Sequence, residues 1–318
     1  GSISETDALT PYLKKITGDV QLKKPLKVAI DCGNGVAGVC AEALFKQLGC
    51  DVVPLYVEID GTFPNHHPDP SKPKNLVDVI TAVKTQHCDV GFAFDGDGDR
   101  VGVITEHGES IFADRLLMLL SEDVLSRNAG ATVIYDVKCS RHLGPVIERA
   151  GGKPLMWKTG HSLVKAKMKE TGALLAGEMS GHIFFKERWL GFDDGLYTAA
   201  RLLEIFAKSD QPVSVLFDAI PDDVSTPELN IEVPDTEKFA IVERVASIIQ
   251  AQGLPLTTID GVRVDLESGW GLIRCSNTTP NLVLRFEAES TEALTTIQST
   301  MLNALKKAEP TLELESLC

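Results

Sequence analysis

The sequence predicts an α/β protein in which two similar α/β domains with mixed sheets precede a small α+β domain with a mostly antiparallel sheet. Short apolar runs typical of strands alternate with amphipathic stretches typical of helices up to about residue 221. The proline- and acid-rich segment 221–228 then interrupts the alternation and indicates a linker. With 318 residues, 43% of them hydrophobic, the chain is long enough for several cores. We predict domains at residues 1–109, 110–221 and 222–318.

The elements follow from hydrophobic periodicity. In the first domain we predict strands at 26–31, 51–57, 88–94 and 101–108, and helices at 36–49 and 75–86. In the second domain we predict helices at 114–127, 141–150, 162–172 and 193–208, and strands at 132–137, 154–157 and 173–178. In the third domain we predict strands at 229–234, 256–266, 270–276 and 281–289, and helices at 236–250 and 290–308. The change from alternation to consecutive strands predicts the antiparallel sheet.

Composition excludes some classes of function. The formal net charge of −14 argues against general nucleic-acid binding. Because no apolar run could span a bilayer and the N-terminal residues lack the order of a signal peptide, we expect a soluble cytoplasmic protein without a membrane partner. The seven cysteines are scattered without a CxxC pair, so we expect reduced thiols that mostly fill core: Cys32, Cys40, Cys50, Cys88, Cys139, Cys275 and Cys318.

The stretch "FAFDGDGDRVGV" concentrates three carboxylates, those of Asp95, Asp97 and Asp99, between two predicted strands. Alternate residues of an extended backbone point the same way, so the three repel one another unless a cation intervenes. Oxygen ligands favour a hard metal, Mg²⁺ or Ca²⁺. An EF-hand is excluded, because its sixth position requires glycine and here holds Arg100, and because the flanks are strands.

A second glycine-rich stretch, "DCGNGVAG", follows a predicted strand and precedes a predicted helix. Gly33, Gly35 and Gly38 have the GxGxxG spacing of dinucleotide-binding folds, and Glu58 and Asp60 follow where a ribose ligand is expected. The same glycines are also explained by tight packing in a strand-to-helix turn, and no second nucleotide-binding half is evident. A nucleotide-dependent oxidoreductase therefore remains a minority alternative.

Two further polar segments occur in the second and third domains. "GEMSGH" places Glu178, Ser180 and His182 at alternate positions, which suits the recognition of hydroxyl groups beside a titratable imidazole. "RCSNTTP" can surround a phosphate with a guanidinium and neutral donors from Arg274, Ser276, Asn277 and Thr278, and Lys138 and His161 add basic character. A metal site, a polyol site and a phosphate site on successive domains favour an interdomain cleft for a phosphorylated sugar.

In this order and spacing, "FDGDGDR", "GEMSGH" and "RCSNTTP" closely resemble the α-D-phosphohexomutases, and specifically the bacterial phosphomannomutase/phosphoglucomutase branch. The similarity extends through "FPNHHPDP", "DVKCSR" and "ERWLGFDDG". The resemblance implies interconversion of 1-phospho and 6-phospho hexoses through a bisphosphorylated sugar, with glucose 1,6-bisphosphate as activator and a monomeric enzyme.

The resemblance also implies roles for individual residues. Asp95, Asp97 and Asp99 would hold Mg²⁺, and the catalytic residues would be Arg100, beside the transferring phosphoryl group, and His182, as general acid or base. Glu178 and Ser180 would bind the 3- and 4-hydroxyls of the sugar. The other phosphate would be bound by Arg274, Ser276, Asn277 and Thr278, with Lys138 and His161 lining the same cleft.

One departure from the family pattern bears on activity. Members of the family carry a Thr-Ala-Ser-His-Asn-Pro-like loop on an N-terminal domain, and its phosphoserine completes the metal site; no such loop occurs in these 318 residues. We therefore expect weak metal binding and no turnover by this polypeptide alone. Alternatives are a phosphoglucosamine mutase, which typically has Gln at the position of Met179 and Gly at that of Asn277, and a non-catalytic sugar-phosphate binding protein. The sequence leaves the preference between glucose and mannose open.

Overall fold

The structure of the protein is a computed structural model that describes residues 1–314. The first unit comprises α1 (Leu9–Asp19), β1 (Lys27–Asp31), α2 (Ala41–Gln47), β2 (Asp51–Leu55), α3 (Val77–Gln86), β3 (Val90–Phe94), β4 (Val101–Thr105) and β5 (Ser110–Ile111), with 3₁₀ turns at Val36–Val39 and Pro73–Asn75. Its sheet has the order β2-β1-β3-β4-β5. β1 pairs in parallel with β2 and β3, whereas β4 and β5 are antiparallel additions.

The second unit repeats this plan. It comprises α4 (Ala113–Arg127), β6 (Thr132–Asp136), α5 (Leu143–Arg149), β7 (Lys153–Trp157), α6 (His161–Thr171), β8 (Leu175–Gly177), β9 (Ile183–Phe185), α7 (Gly195–Lys208) and α8 (Val213–Asp218). The sheet order is β7-β6-β8-β9, with three parallel strands and an antiparallel β9. In both units the antiparallel strand follows the third parallel strand directly, so the loop between them lies at the carboxyl edge of the parallel strands.

The third unit comprises β10 (Val224–Ser225), β11 (Leu229–Glu232), α9 (Lys238–Ala251), β12 (Val262–Leu266), β13 (Gly269–Cys275), β14 (Asn281–Ala288) and α10 (Thr291–Ala308). Every strand pairing described in it is antiparallel. α9 and α10 pack against the sheet around a separate apolar core. The predicted fold class, two mixed-sheet α/β units and an antiparallel α+β unit, is confirmed.

Several details differ from the sequence prediction. The predicted helix 36–49 is a 3₁₀ turn followed by the shorter α2, and the predicted strand 256–266 pairs as a strand only from Val262. The interruption is at Cys40, whose φ of −136° lies outside the helical range. The turn before it packs closely, since a Cβ on Gly38 would lie 2.0 Å from the Val57 carbonyl oxygen. Five elements were not predicted from the sequence, and most of them are too short for a periodic signal: α1, β5, β9, α8 and β10.

α7 connects the first two units. It is buried along nearly its whole length and contacts β3 and β4 of the first sheet as well as β9 of the second. The apolar side chains around it form one continuous core that extends through both units. The acidic loop after β3 and the polar loop after β8 are therefore positioned by shared packing.

α1 also contacts the second unit, although it precedes the first sheet in sequence. The Tyr12 hydroxyl donates to Asp194 Oδ1 at 3.0 Å, and Asp194 caps α7 by accepting from the Tyr197 backbone N–H at 2.9 Å. At the other end of α1, Asp19 accepts from Arg188 Nε at 3.0 Å and from the Tyr197 hydroxyl at 2.7 Å. These polar contacts hold α1 across the junction of the two units.

The described cysteines are buried and unpaired, which places them in the core as predicted; Cys318 lies outside the described residues. Within residues 1–314, the helices are too short or too polar to cross a bilayer.

We predict that Tyr12→Phe destabilises the protein by about 1–2 kcal/mol, because the buried Asp194 carboxylate loses a donor. Urea unfolding followed by circular dichroism measures this. The matched control is Tyr56→Phe, which removes a hydroxyl donating to the more exposed Asp78 and should cost clearly less. Equal losses in the two variants would contradict a special role for α1.

Candidate active site

The acidic loop joins β3 to β4 at the carboxyl edge of the first sheet. One carboxylate oxygen from each of Asp95, Asp97 and Asp99 lies within 4.8 Å of the others. Asp95 is buried and Asp97 is exposed. In the described part of the chain, nothing donates a hydrogen bond to Asp97 or forms an ion pair with it. The three side chains therefore converge and leave oxygen atoms directed outward, an arrangement that fits a hard cation.

Arg100 partly neutralises this loop. Its backbone N–H donates to Asp95 Oδ1 at 3.0 Å, its Nε donates to Asp95 Oδ2 at 2.6 Å, and Nη1 lies 3.3 Å from Asp69 Oδ1. Burial raises the pKa of Asp95 to about 6, and the Arg100 charge acts in the opposite direction. The guanidinium is thus fixed beside the carboxylate cluster.

The glycines of "DCGNGVAG" support the acidic loop by close packing. A Cβ on Gly35 would lie 2.8 Å from the Gly96 carbonyl oxygen, which itself accepts the Val36 backbone N–H at 3.0 Å. The N–H groups of Gly35 and Gly38 donate to carbonyl oxygens of the same turn. The geometry accounts for these glycines by packing and leaves no row of free amides for a dinucleotide phosphate.

The polar loop after β8 adjoins the acidic loop. The Val101 N–H donates to the Gly181 carbonyl at 3.4 Å, and Arg100 and His182 form an isolated β-bridge. At the first residue of α7, the Gly195 N–H donates to the Gly98 carbonyl at 3.1 Å. Backbone contacts therefore fix the position of one loop relative to the other.

His182 connects the side chains of the two loops. Its Nδ1 lies 2.7 Å from Ser180 Oγ and 3.4 Å from Glu178 Oε2, and its Nε2 lies 3.4 Å from Asp99 Oδ1. Burial alone would lower the pKa of His182, but Asp99 and Glu178 outweigh it and raise the pKa above the ordinary value. Burial and the neighbouring Asp136 raise the pKa of Glu178 to about 7. The cluster can hold and exchange a proton near neutral pH.

The phosphate-type loop lies between β13 and β14 of the third unit. Arg274 is 4% exposed; its Nε donates to Asp260 Oδ2 at 3.1 Å, and its buried Nη2 has no hydrogen-bond partner. Ser276 Oγ accepts from the backbone N–H of Thr278 at 3.3 Å, and Lys238 Nζ donates to the Ser276 carbonyl at 2.8 Å. A buried cation with an unsatisfied donor, next to a turn of hydroxyl groups, suits an anion.

A short turn at residues 158–161 joins the polar loop after β8 to the phosphate-type loop. The Gly160 N–H donates to Glu178 Oε1 at 2.5 Å, the Thr159 N–H donates to Asp260 Oδ2 at 2.9 Å, and Asn277 Nδ2 donates to the Thr159 carbonyl at 3.0 Å. The ring of His161 lies 6.0 Å from that of His182. His161 in this turn was predicted from the sequence to line the cleft.

Lys138 is buried rather than lining an open surface. Its Nζ lies 2.6 Å from Glu228 Oε1 of the third unit and 3.9 Å from Asp136 Oδ2. Burial alone would lower the pKa of Lys138, but these two carboxylates raise it, so the ammonium form is stabilised. Lys138 therefore contributes positive charge close to both Glu178 and Arg274.

Sequence reasoning missed five acidic residues that orient the site: Asp69, Asp136, Asp193, Glu228 and Asp260. Asp136 could have been predicted from the sequence, since it ends a buried strand at the same sheet edge as the polar loop after β8. Asp260 could not, because it belongs to a turn whose partners are distant in sequence.

Comparisons with known proteins identify the family of this chain. Family models described as phosphoglucomutase/phosphomannomutase alpha/beta/alpha domain II, alpha/beta/alpha domain III and C-terminal domain match residues 10–108, 112–224 and 228–304, respectively. The chain belongs to this family. The predicted resemblance to phosphohexomutases is confirmed, and a nucleotide-dependent oxidoreductase is disfavoured.

Individual members of the phosphoglucomutase/phosphomannomutase family are similar over almost the whole chain. The phosphomannomutase/phosphoglucomutase of Pseudomonas putida is 59% identical over 314 residues, which are 99% of this chain and 68% of the relative. A phosphoglucomutase of Neisseria meningitidis is 53% identical over 98% of this chain and 68% of its own. The crystal structure of a family protein from Burkholderia thailandensis superposes with a TM-score of 0.93 at 54% identity, covering 98% of this chain and 67% of that one. The chain spans about two thirds of the length of these relatives.

We predict that Gly195→Ala disturbs the acidic loop, because the added Cβ would lie 2.8 Å from the Arg100 carbonyl oxygen and 2.9 Å from that of Gly98. The expected result is a loss of about 1–3 kcal/mol in unfolding free energy together with faster amide hydrogen exchange at residues 95–100. Gly61→Ala is the control, since no atom lies within 4 Å of its added Cβ. Unchanged exchange in the Gly195 variant would show that the loop does not depend on α7.

Proposed function

We propose that this chain carries the metal-, sugar- and phosphate-binding domains of a phosphomannomutase/phosphoglucomutase, which interconverts hexose 1-phosphate and hexose 6-phosphate through a bisphosphorylated sugar. The observation that carries this proposal is that three loops, one from each unit, are linked to one another. The acidic loop contacts the loop after β8 through Asp99 and His182, and the turn at residues 158–161 joins the loop after β8 to the phosphate-type loop. The names of the similar proteins support the choice of reaction.

The acidic loop is the proposed Mg²⁺ site, with Asp95, Asp97 and Asp99 as ligands. The ligand set is all oxygen, and among the described residues Asp97 has no competing partner, so the donors fit this ion. When bound, Mg²⁺ would neutralise negative charge on the phosphoryl group being transferred. Arg100, held by Asp95 and Asp69, is directed to the same group and supplies a fixed positive charge.

The loop after β8 orients the sugar. Glu178 and Ser180 would bind adjacent hydroxyl groups, Glu178 as an acceptor and Ser180 as donor or acceptor. His182 contacts both side chains and Asp99, so it can accept a proton from the attacking sugar hydroxyl or return one to it. In this proposal the hydroxyls that are read are the 3- and 4-hydroxyls, so the site would accept both glucose and mannose phosphates.

The loop after β13 holds the phosphate that is not being transferred. Arg274 supplies the charge, and Ser276, Asn277 and Thr278 supply neutral donors. Lys138 adds buried positive charge close to this loop, and His161 lies along the cleft. A bisphosphorylated sugar would present either phosphate to this loop, depending on its orientation, which is how one site could serve both directions of the reaction.

The proposed phosphoryl donor is not among these 318 residues. A phosphoserine on an N-terminal domain would donate the phosphoryl group and complete the metal coordination. These 318 residues contain no Thr-Ala-Ser-His-Asn-Pro-like segment. We propose a monomeric enzyme with phosphorylated hexoses as ligands and glucose 1,6-bisphosphate as activator.

We predict that the 318-residue polypeptide binds glucose 6-phosphate but shows no steady-state turnover of glucose 1-phosphate with Mg²⁺ and glucose 1,6-bisphosphate. The reason is that positioning and charge neutralisation cannot act without the phosphoryl donor. A coupled assay for glucose 6-phosphate formation measures this. The comparison is the same polypeptide extended upstream along its own reading frame, which should turn over. A clear rate from the 318 residues alone would refute the requirement for an external phosphoserine, and an inactive extended chain would favour the non-catalytic alternative.

We predict weak Mg²⁺ binding by the polypeptide alone, with a dissociation constant above about 100 μM, because three carboxylates without a phosphoserine oxygen leave coordination positions to water. Calorimetry measures this. Asp97→Asn should abolish the remaining binding, whereas Asp60→Asn, which alters an exposed aspartate in a separate turn, should not. Tight stoichiometric binding would show that the acidic loop is complete without a phosphoserine.

A phosphoglucosamine mutase is the alternative within the class. Met179, where such enzymes typically have Gln, is partly buried and packs against the core of the first two units, so its side chain is not a free polar contact for an amino sugar. The relatives named above are phosphomannomutases or phosphoglucomutases. Calorimetry comparing glucosamine 6-phosphate with glucose 6-phosphate and mannose 6-phosphate decides between them.

A further inference from the structure

We infer that Asp260 is a positioning residue that couples phosphate binding to recognition of the sugar. The inference rests on the proposed function for the roles of Arg274 and Glu178. One carboxylate oxygen of Asp260, Oδ2, accepts two hydrogen bonds, from Arg274 Nε at 3.1 Å and from the Thr159 backbone N–H at 2.9 Å. It therefore joins the phosphate-type loop of the third unit to the turn of the second.

The peptide group between Thr159 and Gly160 extends this connection to the sugar. Its carbonyl oxygen accepts from Asn277 Nδ2 at 3.0 Å, and its N–H donates to Glu178 Oε1 at 2.5 Å. Because a peptide group is planar and rigid, these two bonds hold opposite edges of one plane. A change in the phosphate-type loop that tilts this plane must also change the hydrogen bond to Glu178.

The position of Asp260 is set by the residue after it. Gly261 has a φ of +83°, and a Cβ on it would lie 2.5 Å from both Arg274 Cβ and the Ile273 carbonyl oxygen. Only glycine allows the turn to approach β13 this closely, so the Asp260 carboxylate is placed directly beside the guanidinium. The Asp260–Arg274 ion pair is not an exposed surface pair, because the Arg274 side chain is only 4% exposed.

Asp260 also orients the Arg274 guanidinium for binding an anion. It satisfies one edge of the guanidinium through Nε, whereas the buried Nη2 has no hydrogen-bond partner. A planar guanidinium fixed at one edge directs its other nitrogens in fixed directions. When a phosphate binds Arg274, the charge shared with Asp260 changes, and the hydrogen bond that the Thr159 N–H donates to Asp260 must respond.

Calorimetry with glucose 6-phosphate and with inorganic phosphate tests the coupling. In Asp260→Asn we expect binding of glucose 6-phosphate to weaken about tenfold or more and binding of inorganic phosphate by about threefold, because only the sugar ligand also depends on Glu178. The double variant with Glu178→Gln should bind glucose 6-phosphate within about threefold of the weaker single variant, since both substitutions break the same connection. Equal losses for both ligands, or losses that multiply in the double variant, would overturn the inference.

Asp265→Asn is the matched control, because Asp265 also pairs with an arginine of the third unit but is 43% exposed. Its partner Arg263 keeps hydrogen bonds to the carbonyls of Val137 and Cys139, so binding of both ligands should remain within about twofold of the unchanged protein.

An NMR titration of the unsubstituted protein tests the same inference without depending on the folding of a variant. Inorganic phosphate should shift the amide resonances of Thr159 and Gly160. Phosphate binding without these shifts, or no phosphate binding at all, would overturn the inference. If phosphate binds and the shifts occur but glucose 6-phosphate binds no better than phosphate, the connection through Asp260 is retained and the mutase assignment fails instead.

Discussion

The arrangement of the candidate site depends on the burial of α7 between two sheets. The helix contacts β3 and β4 on one side and β9 on the other, and its N-terminus is capped by Asp194. Gly195 is close enough to donate to the Gly98 carbonyl of the acidic loop. Because the two sheets share this helix, the loops that follow their third strands face each other at a fixed distance. Neither unit alone could fix the position of one loop relative to the other.

Electrostatics gives the site its second constraint. Burial raises the pKa of both Asp95 and Glu178, so the fold holds carboxylates where their charged forms are disfavoured. Arg100 opposes this at Asp95, and His182 does so at Glu178. The result is an interlocked set of acids and bases in which the binding of a cation or an anion changes the protonation of its neighbours. Such a cluster is costly for stability and is found mostly at functional sites.

Much of this was predictable from local sequence patterns. The two α/β units and the antiparallel third unit follow from hydrophobic periodicity, and the acidic loop follows from its spacing and its flanking strands. The contribution of α1 was not predictable, because its contacts, such as Tyr12 with Asp194, join residues far apart in sequence. The same holds for Asp260 and the turn at 158–161, whose importance lies in backbone N–H and C=O groups that every residue possesses. Lys138 was selected from the sequence, but its burial against Glu228 depends on how the third unit docks.

The third unit has its own core, so it can unfold separately from the first two units. The first two units share one apolar cluster, whereas the third has its own, and the small apolar cluster at the boundary is formed by Val137, Trp270 and Leu272. Much of the remaining contact consists of arginine hydrogen bonds to backbone carbonyls, as from Arg263 to Val137 and Cys139. A boundary with so small an apolar cluster opens at lower free energy than a continuous core. On warming, the chain should therefore release a bound phosphate while the acidic loop and α7 are still folded together.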